Sequence, residues 1–400
     1  MSPVQERRRL GAFFFAYFAL AGLLAPYLPL WFSHRGLTGA EIGVLVAIGQ
    51  GMRVVGPNLW GWLADHGAQR IRILRATSVA LALSFAGFLV PGGFGWLAAV
   101  MFALNFFMTA QMPVAEALVA TRLRGDPQVA RRYGRLRVWG SIGFVVVVLA
   151  AGPLFDLVGI AWAPALGLVL TALLVAAAFH VREALPSAGH AEHVSVRRRL
   201  REPRVRWFLA SAALMVFAHG TYYSYFSLYL YQLGYSKAAI GVYWVAGVLL
   251  EIVFFYTQGR FFARFGIYPL LAASFVLAVL RFALIGELAA WWWVLLVAQL
   301  LHAVTFAVHH SASVLLIQRW FGGRAAARGQ ALYISLAYGV GGTSGALVAA
   351  ALWTGLGPRA AFLGASLAAA LGWWALRQAR SADHEAEPRV LAESTRSPPG

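Results

Sequence analysis

Long apolar runs alternate with short polar gaps along nearly the whole 400-residue chain. A helix needs roughly 20 apolar residues to cross a hydrocarbon core. Twelve segments come near that length: 10–32, 40–63, 71–90, 95–121, 136–156, 160–180, 207–231, 239–262, 267–286, 291–318, 329–352 and 359–377. The pattern predicts an all-α membrane protein of twelve transmembrane helices in two pseudo-symmetric six-helix bundles. Residues 1–180 form the first bundle and 207–380 the second, joined by a cytoplasmic linker at 181–206, the longest polar stretch. The tail 381–400, with Pro388, Pro398 and Pro399, reads as disordered. The run after Arg7-Arg8-Arg9 is too long for a secretory leader and is expected to be the first span.

An internal repeat supports the division. Offset by 198 residues, Gly36, Ile42, Gly43, Gly49 and Gly61 meet Gly234, Ile240, Gly241, Gly247 and Gly259. The opening helices of the two halves are therefore alike and point the same way. A parallel duplication about an axis along the membrane normal places a substrate site between the halves near the midplane, the plan of major facilitator transporters.

Composition removes the soluble alternatives. The chain is 60% hydrophobic and 12% charged, where a soluble domain carries about 25% charged residues. A net charge of +18 invites nucleic-acid binding, but position argues against it. Of the 33 basic residues, 28 fall in the tail 1–9 and in alternate gaps on one side, against Arg35, Lys237 and Arg359 on the other. The positive-inside bias then predicts a multi-pass inner-membrane protein with both termini cytoplasmic, lipid as its surroundings and no nucleic-acid partner. Trp291-Trp292-Trp293 at a span start fits an interfacial aromatic belt. There is no cysteine, which excludes thiolate chemistry and disulfides. No carboxylate cluster or phosphate loop is evident, so neither metal nor cofactor is expected, and the chain does not read as an enzyme. A haem bound between His219 and a helix-10 histidine is the reading in another class.

Charges inside the apolar runs carry the functional signal. Arg53, Glu116, Arg137, Glu251 and Arg281 lie within or at the start of spans, with His219, His302, His309 and His310 as further titratable groups. A charge at the bilayer centre costs about 2.5–3.5 kcal/mol or more, so each must face protein or water. By the repeat, Arg53 and Glu251 occupy equivalent positions and are expected to face one another across a cavity. Helical spacing predicts stripes: Asn105, Thr109, Met112 and Glu116; His302, Thr305, His309 and Ser313; His219, Tyr222, Phe226 and Tyr229, with Tyr223 adjacent. Bland readings stand beside these. Arg137 fits an interfacial arginine, the paired histidines fit packing residues, and Glu251 with Arg281 fits a structural ion pair. Three positive against two negative charges leave the cavity one anion short, and an arginine fork suits a carboxylate.

Two motifs add a resemblance. Gly61-Trp62-Leu63-Ala64-Asp65-His66-Gly67 is similar to the major facilitator loop signature, with the second glycine one position early and His66 where a basic residue is usual. Gly61 would permit close helix approach, and Asp65 suits the positive end of a neighbouring helix. Tyr133-Gly134-Arg135-Leu136-Arg137-Val138-Trp139-Gly140-Ser141, His219-Gly220-Thr221-Tyr222-Tyr223 and Gly329-Gln330-Ala331-Leu332-Tyr333 resemble the 3-phenylpropionate permease family and its relative lactose permease. The likeness runs from the first span to the last.

By that resemblance Glu116 and Arg137 match a sugar-binding pair, and Glu251, Arg281 and His302 match coupling residues. Thr305 stands where lactose permease has its proton-carrying glutamate, which leaves the proton to Glu251 or His302, with Glu116 as a further candidate. The net-positive cavity beside the aromatic face, together with this resemblance, points to a proton-coupled symporter of a small organic acid such as phenylpropionate, expected to be a monomer. The expected substrate residues, from the buried charges and the aromatic stripe as well as the resemblance, are Arg53, Glu116, Arg137, His219, Tyr222, Tyr223 and Phe226. A proton symporter of a sugar or nucleoside is the alternative, and drug efflux a weaker third.

Overall fold

The computed structural model describes residues 3–65, 70–122, 129–182, 197–321 and 326–394, and every regular element among them is helical. The first half comprises α1 (Pro3–His34), α2 (Gly39–Asp65), α3 (Arg70–Ala86), α4 (Phe94–Arg122), α5 (Val129–Val158) and α6 (Ala163–His180). The second half comprises α7 (Pro203–Gln232), α8 (Lys237–Phe265), α9 (Ile267–Leu288) and α10 (Trp292–Phe321). A final helical run from Ala326 to Ser394 breaks at Gly357, φ 87°, into α11 (326–356) and α12 (358–394). Among the described residues ten stretches are long and apolar enough to cross a membrane, with the broken run counted once. The remaining long helix, α7, has 30 residues; its serines, five tyrosines and His219 lower its hydropathy.

The repeat seen in the sequence is written into the backbone. Gly36 and Gly234 both take positive φ, 82° and 88°. Each closes a helix in the same way: the following N–H, of Leu37 or Tyr235, reaches back to the carbonyl of Phe32 or Leu230. Thr38 and Ser236, again 198 apart, then cap the next helix, Thr38 in a reciprocal box with Glu41 and Ser236 by accepting from the Ala239 N–H. Gly159 and Gly357 repeat the relation at the last turn of each half.

Two expectations shift. The segment from 381 is not disordered as far as it is described: α12 continues to Ser394. Asp383, 6% exposed, anchors it by accepting from Arg204, Trp320 and Tyr268 on α7, α10 and α9. The second bundle begins at Pro203, earlier than 207, because proline is well suited to the first helical turn. Of the linker, residues 183–196 lie outside the described residues.

Within the halves α1 packs along α5, α7 along α11 and α9 along α12; between them α2 meets α11 and α5 meets α8. The α5–α8 seam is sealed at the end away from the termini. Asp156 at the end of α5 accepts the N–H groups of Lys237 and Ala238, both at 2.9 Å, and pairs with the Lys237 ammonium at 3.4 Å. Tyr27 of α1 donates to the Val148 carbonyl of its own half at 2.7 Å and reaches across to the Lys237 carbonyl at 3.4 Å, and Tyr225 of α7 donates to the Gly39 carbonyl at 2.7 Å. At the opposite end, the long-range bonds of Arg204 and Arg75 stay inside one half.

Candidate functional site

The inner faces of the two halves carry different chemistry. On the first half, Arg53 of α2 and Arg137 of α5 are both exposed although deep within helices. Among the described residues neither has a carboxylate partner. Arg137 lies over the Phe18 ring at 4.5 Å and Arg53 over the Tyr338 ring at 5.8 Å. Arg53, Arg137 and Glu116 all stand within electrostatic reach of Tyr17, which places the three around one space. Glu116 accepts from the Tyr133 hydroxyl at 3.0 Å and forms no ion pair with Arg137.

The second half holds a buried polar core. Glu251 of α8 meets Nε2 of His302 of α10 at 3.0 Å. The His302 ring stacks on Tyr222 at 5.3 Å and lies 5.8 Å from His219. His219 accepts from Arg281 Nη1 at 3.4 Å through Nε2, while its Nδ1 lies 2.9 Å from the Met215 carbonyl. Arg281, 0% exposed, donates through Nε to the Ala298 carbonyl at 3.0 Å and through Nη1 to Thr305. Its guanidinium lies 4.4 Å from the Tyr222 ring centre, and Nη2 has no hydrogen-bond partner. A buried donor left unpaired costs about 1–3 kcal/mol.

Several sequence expectations change on this geometry. Glu251 faces His302 rather than Arg53, and no ion pair joins it to Arg281. The groups still converge: Tyr223, half-buried, lies within electrostatic reach of Glu251, Tyr338, Arg53 and Arg281. The α10 stripe His302, Thr305, His309 and Ser313 is one buried face, where His302 meets Glu251 of α8 while Thr305 meets Arg281 and His309 meets Ser274 of α9. His219, Tyr222 and Phe226 are likewise buried inside the second half, with Tyr222 and Phe226 against Trp244. Asn105 and Thr109 press on Gly49 and Gly56 of α2, so the α4 stripe is mainly a helix-packing face. Nothing among the described residues stands within 4 Å of a side chain added at Gly61, so the close approach expected there is not made. The Asp65 side chain, His66 and Gly67 lie outside the described residues. The nitrogens of His219 are both engaged, as is Nε2 of His302, which leaves them unsuited to holding a haem.

Three contributors escaped the sequence reading. Gln299 is fully buried and accepts from the Tyr222 hydroxyl at 2.9 Å, one turn before His302. Its position in the buried stripe was available from spacing. Tyr17 and Tyr338 were not: Tyr17 sits in an aromatic-rich span, and Tyr338 is displaced by a π-helical segment, Ile334–Gly341.

Comparison with known proteins agrees with this architecture. Residues 7–364 match the MFS_1 like family, and the chain belongs to it: it is a multi-pass membrane transporter of the major facilitator class and not an enzyme. The chain is 30% identical over 340 residues to the Escherichia coli protein named "Probable 3-phenylpropionic acid transporter", covering 84% of this chain and 88% of that one. It is also 30% identical to a maltose permease of Geobacillus stearothermophilus, over 67% of each chain. Among solved structures, the nucleoside transporter NupG superposes with a TM-score of 0.79 at 17% identity, covering 93% of this chain and 98% of that one.

Proposed function

We propose that the chain is a proton-coupled symporter that brings a small organic acid, of the arylpropionate class, into the cell. The observation that carries this reading is the pair of exposed guanidinium groups, Arg53 and Arg137, which face the space between the halves without a carboxylate partner. A substrate carboxylate supplies the missing anion, held by charge-assisted hydrogen bonds. Glu251, bonded to His302 behind Tyr223, is the proton carrier. Arg281, without a carboxylate of its own, is the cation that senses the state of that pair. Binding of acid and proton lowers the net charge change in the cavity and favours rocking of one half against the other.

In this reading both termini are cytoplasmic, the protein is a monomer of the inner membrane, and 1–180 and 207–380 are the moving units. In that orientation the contacts of Asp156 and Tyr27 close the outer face. The likeness to the named 3-phenylpropionic acid transporter supports the choice of substrate class.

The test is uptake of labelled 3-phenylpropionate into proteoliposomes under an inward proton gradient, for the parent protein and for Arg53→Gln, Arg137→Gln and Glu251→Gln. Gradient-driven accumulation that each arginine substitution impairs is expected. Uptake indifferent to collapse of the gradient sinks the coupling, and binding untouched by both arginine substitutions sinks the acid site. A sugar or nucleoside is the second reading, supported by the maltose permease likeness; displacement of a bound signal by maltose but not by phenylpropionate selects it.

A further inference from the structure

Arg53 reaches the shared space from the first half, but the ring it meets among the described residues belongs to the second. Its guanidinium lies over Tyr338 of α11 at 5.8 Å, inside the roughly 6 Å range of a cation–π contact. Tyr338 is held on the other side: its hydroxyl shares a hydrogen bond of 3.0 Å with His310 Nδ1, and its ring stands edge-on to Tyr333 at 5.8 Å. Packing alone does not call for that hydroxyl bond, nor for a ring face presented to an exposed arginine. The residue sits in the π-helical segment Ile334–Gly341, and such irregularities concentrate at functional positions. One turn of helix carries the rest of the junction. Gly339 lies against the backbone of Val54, and Asn58 donates to Ser335 at 3.2 Å.

We propose that Tyr338, fixed by His310, is a positioning residue for the anion site: it aims the Arg53 guanidinium, so that the site on one half is completed by a ring from the other. This rests on the reading of Arg53 as a substrate ligand. Its consequence is a direct tie between binding and rocking. Any movement that draws α11 away from α2 takes the ring from under Arg53 and frees the guanidinium to turn, and the carboxylate loses its oriented partner. Affinity for the acid thereby depends on how the halves stand, without a separate relay.

The experiment measures binding of 3-phenylpropionate to the purified full chain by calorimetry, with melting temperature recorded alongside. Tyr338→Leu removes the ring, Tyr338→Phe keeps it and loses only the bond to His310, and Arg53→Gln removes the cation. Tyr338→Leu is expected to weaken binding roughly 3- to 30-fold, the span of a cation–π contact, with Tyr338→Phe, which keeps the ring but loses its anchor on His310, falling between Tyr338→Leu and the parent. In the Arg53→Gln background Tyr338→Leu is expected to add no further loss. If Arg53→Gln weakens binding and Tyr338→Leu does not, the positioning role is wrong while the acid site stands. If Arg53→Gln leaves binding unchanged, the acid site itself is wrong. If both Tyr338 substitutions lower the melting temperature and affinity alike, or their losses add to that of Arg53→Gln, Tyr338 is a packing residue.

Discussion

The carboxylate of Glu251 on α8 meets the imidazole of His302 on α10 at 3.0 Å, with the ring of Tyr222 stacked on that imidazole. The bond joins two helices of the same half, so a proton arriving at it changes the charge of that half alone. Arg281 lies behind it with Nη2 unpartnered. Substituting Glu251→Gln keeps a side chain of the same length that can still bond to His302, but it cannot exchange a proton. Binding of 3-phenylpropionate and its exchange across the membrane at equal concentrations are therefore expected to survive. Uphill accumulation under a proton gradient is expected to vanish. Equal loss of exchange and accumulation would move the proton away from Glu251.

The seal at the other end of the molecule gives a second prediction. Asp156 caps the N-terminus of α8 from the opposite half, accepting two N–H groups there and pairing with Lys237. Side chains in capping positions contribute about 0.5–2 kcal/mol, which corresponds to a roughly 2- to 30-fold change in a two-state population. Asp156→Ala is expected to shift the resting protein toward opening on this face by that amount. The chain has no cysteine, so a single Val148→Cys behind Tyr27 reports the change cleanly. Its labelling by a membrane-impermeant maleimide added on this face should speed up in the Asp156→Ala background. An unchanged rate would mean that the Tyr27 and Tyr225 contacts hold the seal without Asp156.

What could be read in advance follows from the forces involved. Bilayer thickness and the repeat are strong constraints, and Gly36 with Gly234 shows them acting down to individual caps. That Arg281 and His302 must be buried against protein also followed from the cost of charge in lipid. Which groups pair did not. Glu251 has both Arg281 and His302 within its neighbourhood, and only packing between α8 and α10 decides for His302. Tyr333 and Tyr338 are five residues apart, a spacing that a regular helix places on different faces and a π segment brings together. Asp156 was a lone acid at a span end, with no pattern to mark its partner 81 residues on.

The end of α12 makes a third case. Asp383 binds Arg204 at 2.9 Å, Tyr268 at 2.9 Å and Trp320 at 3.1 Å, tying α12 to α7, α9 and α10. Hydrogen bonds to a charged group contribute about 1.5–3 kcal/mol, and Glu202 remains to neutralise Arg204. Asp383→Ala is expected to lower the melting temperature in detergent and to expose the helix after 380 to proteolysis. The affinity for the acid should be unchanged, since none of these groups adjoins Arg53 or Arg137. A melting temperature equal to that of the parent would show that the hub is dispensable.

The last prediction concerns the contact on which α11 turns. Gly345 of α11 and Gly220 of α7 lie face to face: a Cβ on Gly345 would strike the backbone of Phe217, and one on Gly220 the backbone of Gly345 and Ala346. Backbone cannot step aside as a flexible side chain does, so a single methyl must push the helices apart. Overpacking of this kind costs about 1–3 kcal/mol. The separation would also carry Tyr338 away from its present place beside Arg53. Gly345→Ala is therefore expected to lower both the melting temperature and the affinity for 3-phenylpropionate. Gly355, further along the same helix, has nothing within 4 Å of an added Cβ. There the same substitution removes only the entropic weakness of glycine in a helix, worth about 0.5–1 kcal/mol. Gly355→Ala should leave the protein as stable as before or more so, with unaltered affinity. If the two substitutions behave alike, the tight α7–α11 approach is not what limits either stability or binding.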